Sequence, residues 1–164
     1  MSTAQDKIDA INETINEATV LTNENSLQLV SFAIGEEEFG VDIFAVKEIT
    51  RVPQITRVPN SPFFVVGVIN MRGRVVPIID LCKRFGLPDK NSSRDEKVII
   101  VIEYETKTVG FLVDGVKEVL RINKAITEPP PPMVSGIDSE YITSIAKLNE
   151  RLLILLDIAK ILIL

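Results

Sequence analysis

From Leu27 onward the chain alternates between short apolar runs, rich in β-branched residues, and turn-forming clusters. Ten runs read as strands: Leu27–Ile34, Glu38–Ile43, Val46–Val52, Val65–Ile69, Arg74–Ile79, Lys97–Glu103, Thr108–Val113, Val116–Ile122, Tyr141–Ala146 and Arg151–Leu156. So many short strands at close spacing predict an all-β barrel or sandwich. Gly35-Glu36-Glu37 and Glu105-Thr106-Lys107 mark hairpin turns, and Pro129 to Pro132 form a stiff loop that cannot be a central strand. Residues 1–26 differ: they are polar, with Ala4, Ile8, Ile11, Ile15 and Ala18 at helical spacing. The main reading is a loose, partly helical tail; the lesser is a docked or partner-binding helix.

The strand pattern repeats. Shifted by 70 residues, LVSFAIGEEEFGV (29–41) lies over IIVIEYETKTVGF (99–111), with Gly40 on Gly110, and VKEITRV (46–52) lies over VKEVLRI (116–122). After a spacer longer by seven, RVVPIIDLCKRF (74–85) lies over RLLILLDIAKIL (151–162), with Arg74 on Arg151 and Asp80 on Asp157. Three matches in one order indicate an internal duplication, with approximate copies at 27–86 and 97–164. Each copy supplies about five strands and a short helix. Asp80 and Asp157 are natural helix N-caps. The first helix, Leu81 to Phe85, stops at Gly86, with Pro88 just beyond and a polar linker to Glu96. Two small barrels packed together are expected.

GVINMRGRVVPIIDL (67–81) focuses the question of function. Both arms of this hairpin are apolar almost without alternation, so both strand faces are expected to be buried, one in a barrel and one in a seam between barrels. Gly73 can take the positive φ that a tight reversal needs. The second copy has Lys147-Leu148-Asn149-Glu150 at this corner, so Asn70, Arg72 and Gly73 belong to the first copy. Arg72 is either a solvated turn residue, a docking contact suited to its planar fork and apolar stem, or an anion-binding catalytic arginine. The last has no companions in the sequence.

Composition narrows the chemistry. The 164 residues contain no histidine and one cysteine, which excludes the usual zinc sites and Ser-His-Asp or Cys-His catalysis. Neither a P-loop nor a GxGxxG motif occurs, and carboxylate or lysine chemistry remains formally open. The net charge is −5, with scattered Lys and Arg and no Trp, which argues against nucleic acid. Lone Cys82 cannot form an internal disulfide, and no apolar run reaches about 18 residues. A reducing compartment, the cytoplasm, is expected, without membrane insertion and without a cofactor or metal. Cys82 reads as a small packed side chain, Val113-Asp114-Gly115 as a turn between strands, and Glu36-Glu37-Glu38 as a solvated hairpin tip.

The hairpin, with SFAIGEEEFGVDIFAVKEI before it and VGFLVDGVKEVLRI after it, resembles the CheW family of chemotaxis coupling proteins over residues 27 to 160. The resemblance implies two intertwined five-stranded SH3-like barrels, with strands exchanged between them. It implies a non-enzymatic adaptor that bridges the cytoplasmic tip of methyl-accepting chemoreceptors and the regulatory domain of the histidine kinase CheA. Such an adaptor sits in the cytoplasm, held at membrane receptor arrays by its partners. A receptor helical hairpin would lie in an apolar groove between barrels. By position in the matching motifs, Val46, Glu48, Gly67, Asn70 and Arg72 would contribute to partner binding, with Val98 and Val119 from the second copy. Gly67 would allow close backbone approach. Val46 shares a mixed face with Glu48 and Thr50, so it reads equally as a core valine, as do Val98 and Val119. Met71 stands where the family also expects leucine, a volume-conserving difference.

Two readings compete. The barrel could bind single-stranded nucleic acid or oligosaccharide, as OB-type barrels do, though clustered arginines and aromatics are lacking. A small carboxylate enzyme would need a perturbed acidic pair in a cleft. Within the family, an adaptor fused to a receiver domain or a detached kinase regulatory domain would need segments this chain does not show.

Overall fold

The computed structural model describes residues 4–18, 25–89 and 97–163. Their strands are β1 (Ser26–Ile34), β2 (Glu37–Asp42), β3 (Val46–Arg51), β4 (Val65–Met71), β5 (Arg74–Asp80), β6 (Val98–Tyr104), β7 (Lys107–Val113), β8 (Gly115–Asn123), β9 (Thr127–Glu128), β10 (Met133–Val134), β11 (Ile137–Asp138), β12 (Ile142–Leu148) and β13 (Arg151–Leu156). Helices are α1 (Ala4–Glu17), α2 (Leu81–Arg84) and α3 (Ile158–Ile161). The ten expected strands are all present. The short β9, β10 and β11, which flank the proline loop, were not expected.

The strands form two main sheets, ordered β8-β1-β2-β13-β12-β9 and β3-β6-β7-β5-β4. The copies are therefore exchanged: β1 and β2 of the first copy join β8, β12 and β13 of the second, while β6 and β7 join β3, β4 and β5. The copies meet at two antiparallel junctions, β1 with β8 and β3 with β6, and at two parallel ones, β2 with β13 and β5 with β7. The parallel junctions repeat one pairing, Leu155 opposite Gly40 and Ile78 opposite Gly110. At Gly110 a Cβ would lie 2.6 Å from the Ile78 side chain, so the glycine makes room for the barrel filling.

Each sheet closes through its own bent strand. A 3₁₀ turn, Lys124–Ile126, carries β8 into β9, which pairs with β12 at the opposite edge. Beyond β3, Thr56 bridges Val68 of β4 in the same way. Both sheets are thus small barrels.

Three apolar clusters follow from alternation. Leu29, Ile122, Ala146, Leu153 and Leu155 fill one barrel, and Ile69, Val76, Ile78, Ile99 and Val101 fill the other. The opposite faces of the same strands, including Val30, Phe32, Ile100, Phe111 and Ile154, form a third and larger cluster in the seam between barrels. The hairpin arms behave as expected near their base, where Ile78 faces the barrel and Ile79 the seam. Toward the tip they outrun the seam, and Val75 is 68% exposed.

The reading of the N-terminus as a loose tail is corrected for residues 4–17. They form a helix whose Ile8, Ile11 and Ile15 are buried in the seam cluster. Residues 1–3 and 19–24 lie outside the described residues, as do 90–96 of the linker.

Asp80 and Asp157 cap α2 and α3 as expected, accepting from the Lys83 and Lys160 backbone N–H groups at 3.3 and 3.2 Å. Arg84, at the end of α2, ties the two helices together. It donates to the Ile161 and Ile163 carbonyls at 3.1 and 2.7 Å and to the Tyr141 hydroxyl at 2.9 Å. Its guanidinium also lies 4.5 Å from the Phe64 ring centroid and 4.9 Å from that of Tyr141. A lysine cannot reproduce this fork. Arg84→Lys is expected to lower unfolding free energy by about 2 kcal/mol, read from urea midpoints.

Candidate functional site

The hairpin tip is a two-residue turn, with Arg72 at φ 53° and Gly73 at φ 81°. Positive φ at both central positions is the geometry whose twist matches antiparallel strands. Asn70 holds the turn: its side-chain oxygen accepts the Gly73 N–H at 3.0 Å. The asparagine thus serves the hairpin itself.

Arg72 reaches from this tip to β3. Its guanidinium donates to both carboxylate oxygens of Glu48, at 3.2 and 3.4 Å. The Arg72 side chain is 77% exposed and that of Glu48 22% exposed. Beside them Arg74 donates to the Thr108 hydroxyl at 3.3 Å. The hollow lined by these residues holds about 50 Å³. That is far below the roughly 300 Å³ at which small-molecule pockets begin. The arrangement offers a charged rim for a macromolecular contact.

Gly67 sits at the barrel closure. Its φ is +149°, and a Cβ there would collide with the Thr56 carbonyl and lie 2.7 Å from Ile55 Cγ2. The close approach expected of this glycine is made by the chain's own backbone.

Val46 and Val98 are buried at 5% and 3% exposure and belong to the seam cluster. Val119, on β8, is half-buried against it. The structure therefore divides the expected site residues. Glu48 and Arg72 form an accessible pair. Asn70 and Gly67 hold backbone, and Val46, Val98 and Val119 line the seam from β3, β6 and β8.

The seam is covered where these strands meet. Helix α1 packs on both β3 and β8. Asn12 fastens it: its side-chain amide donates to the Ile49 carbonyl at 2.8 Å, and its oxygen accepts the Ile49 N–H at 2.7 Å. One side chain thus satisfies both polar groups of a β3 residue, as a neighbouring strand would. The helical spacing of Ile8, Ile11 and Ile15 was legible in the sequence; the role of Asn12 had no sequence signal.

Glu38 corrects the reading of Glu36-Glu37-Glu38 as a solvated tip. Glu36 and Glu37 fit it, but Glu38 is 6% exposed and pairs with Arg151 at 3.3 Å. Cys82 is half-buried, its thiol pushed up to about 11 by burial first and by nearby Asp80 second, which disfavours the reactive thiolate. Asp114 accepts the Gly35 N–H at 2.6 Å, so the Val113-Asp114-Gly115 turn also braces the first hairpin.

Residues 28–163 match the family model of the CheW-like domain. The chain is 42% identical to a chemotaxis protein CheW of Klebsiella aerogenes, covering 82% of this chain and 81% of that protein. It is 38% identical to one of Thermotoga maritima, covering 82% and 86%. The fold is similar to that of the scaffolding protein CheW from Thermoanaerobacter tengcongensis, with a TM-score of 0.74 and 38% identity, over 80% of this chain and 88% of that one.

Proposed function

The chain belongs to the CheW-like domain family, and on that footing we propose that it is a non-enzymatic adaptor of chemotaxis signalling. It joins the cytoplasmic tip of methyl-accepting chemoreceptors to the regulatory domain of CheA, in the cytoplasm beneath receptor arrays. The observation that carries this reading is the family match at 28–163, which takes in both exchanged barrels. The site geometry agrees. The hairpin presents a small, charged rim over Met71, Val76 and Val101 of its own barrel, features of a protein-docking surface rather than a small-molecule pocket. The described residues include no helix long and apolar enough to cross a membrane.

In this reading the receptor helices use the β3–β8 end of the seam through Val46, Val98 and Val119, while Glu48 and Arg72 supply the polar rim. Binding there and to the kinase at other surfaces would couple receptor state to kinase output as a free energy between sites. The test is capture of a receptor cytoplasmic fragment and of CheA by wild type and by Arg72→Ala. Because the Arg72–Glu48 pair is exposed, the substitution is expected to change stability by less than about 1 kcal/mol. It is expected to weaken receptor capture by roughly tenfold. Folded wild type that binds neither partner would sink the adaptor. Full receptor and kinase binding by Arg72→Ala would remove the hairpin from the contact.

A further inference from the structure

The seam end assigned above to the receptor is already occupied by α1. Helix α1 contributes to neither barrel, both of which close through their own strands. The family model matches from residue 28, so α1 lies outside the matched domain. The helix buries one ridge, Ile8, Ile11 and Ile15, leaves its acidic residues Asp6, Asp9, Glu13 and Glu17 on the outside, and has no basic residue in its last turn. At 14 residues, with Glu17 against the dipole at its C-terminus, it is marginal as an isolated helix and is held by the surface beneath it. The Asn12 clamp on Ile49 gives it a directional attachment to that surface.

We infer that α1 is an exchangeable, built-in occupant of the partner groove, and that a receptor helix binds by displacing it. This rests on the adaptor reading and names how that site is regulated. The groove accepts an amphipathic helix, and α1 shows which kind. Apolar side chains stand at positions 0, +3 and +7, with an asparagine at +4 that pairs with the exposed β3 edge at Ile49. A displacing helix must carry the same pattern, because leaving the Ile49 N–H and carbonyl covered but unpaired is costly. While α1 is docked the groove is closed, so apparent affinity for the receptor is reduced by the fraction of molecules in which α1 is released. The acidic outer face of α1 also puts negative charge over the groove in the closed state.

Asn12→Ala removes both hydrogen bonds of the clamp and leaves the groove untouched; Ile11→Asp undocks α1 more completely. Both are made in the full chain, with the far-UV spectrum and unfolding midpoint checking that the barrels persist. The probe is a chemoreceptor cytoplasmic fragment containing the helical tip, titrated by calorimetry. Asn12→Ala is expected to bind about tenfold more tightly than wild type, and Ile11→Asp at least as tightly as Asn12→Ala. Hydrogen exchange in residues 4–17 of wild type should speed up when the fragment binds. Equal or weaker binding by both variants, or unchanged or slower exchange in α1, overturns the inference while binding itself upholds the adaptor. No binding by wild type or either variant removes the adaptor reading, and the inference with it.

Discussion

Gly67→Ala is expected to lower unfolding free energy by on the order of 4 kcal/mol, a large share of the 5–15 kcal/mol typical of a domain. Two costs combine. The backbone at φ +149° is strained for any side chain, and the new Cβ would be driven into the Thr56 carbonyl. Relief means moving Thr56, whose bridge to Val68 closes the barrel through hydrogen bonds of 2.9 and 2.8 Å. Gly73→Ala is the contrast. Its φ is also positive, but its Cβ would meet nothing within 4 Å, so only the conformational cost of about 1 kcal/mol applies. Urea midpoints of the two variants read the difference. If Gly67→Ala kept the wild-type midpoint and lost receptor binding, Gly67 would be a partner contact and its role in closure would be wrong.

The hydrophobic pattern revealed the faces of this protein well and the neighbours of its strands poorly. Arms without alternation meant two buried faces, and the barrel and seam clusters bear that out at Ile78 and Ile79. The pattern could not reveal strand exchange. Residues 74–80 bury the same faces whether β5 lies beside a strand of its own copy or beside β7. That assignment came from family resemblance, and the parallel β5–β7 pairing confirms it.

Among the candidate site residues, Val46 was undecidable for a specific reason. The β3–β6 register shifts between Val46 and Glu48, and this bulge places Val46 and Ile49, three residues apart, in the same seam cluster. Simple alternation would put them on opposite faces. The Arg72–Glu48 pair joins residues 24 apart in sequence, and no local rule links them. Helix α1 shows the same limit. Its periodicity announced an apolar ridge, but docking needed knowledge of a groove built from β3 and β8, which the tail's own composition does not contain.

The duplication also sets up a comparison that the protein itself supplies. Glu38 and Arg151 in one barrel occupy the positions of Thr108 and Arg74 in the other. In the second barrel the contact is a hydrogen bond to a neutral hydroxyl at 3.3 Å. In the first it is an ion pair in which the Glu38 side chain is almost wholly enclosed and its second carboxylate oxygen has no hydrogen-bond partner among the described residues. Arg151 is shared with Glu118 at 3.0 Å and is itself 46% exposed.

Removing the arginine should therefore have unequal consequences in the two barrels. Arg151→Met leaves a carboxylate buried beside apolar side chains, and is expected to cost about 3 kcal/mol, the lower end for a broken buried pair because the arginine is partly solvated. Arg74→Met leaves only a hydroxyl and should cost about 1 kcal/mol. Glu38→Thr in the Arg151→Met background copies the neutral residue of the other barrel and is expected to recover most of the loss. Urea unfolding of the three variants measures all of this. Equal losses for the two arginines, with no recovery from Glu38→Thr, would mean that the Glu38 pair is an ordinary surface contact. The predicted inequality would instead show that one copy holds its exchanged strand by a buried charge where the other uses a hydroxyl.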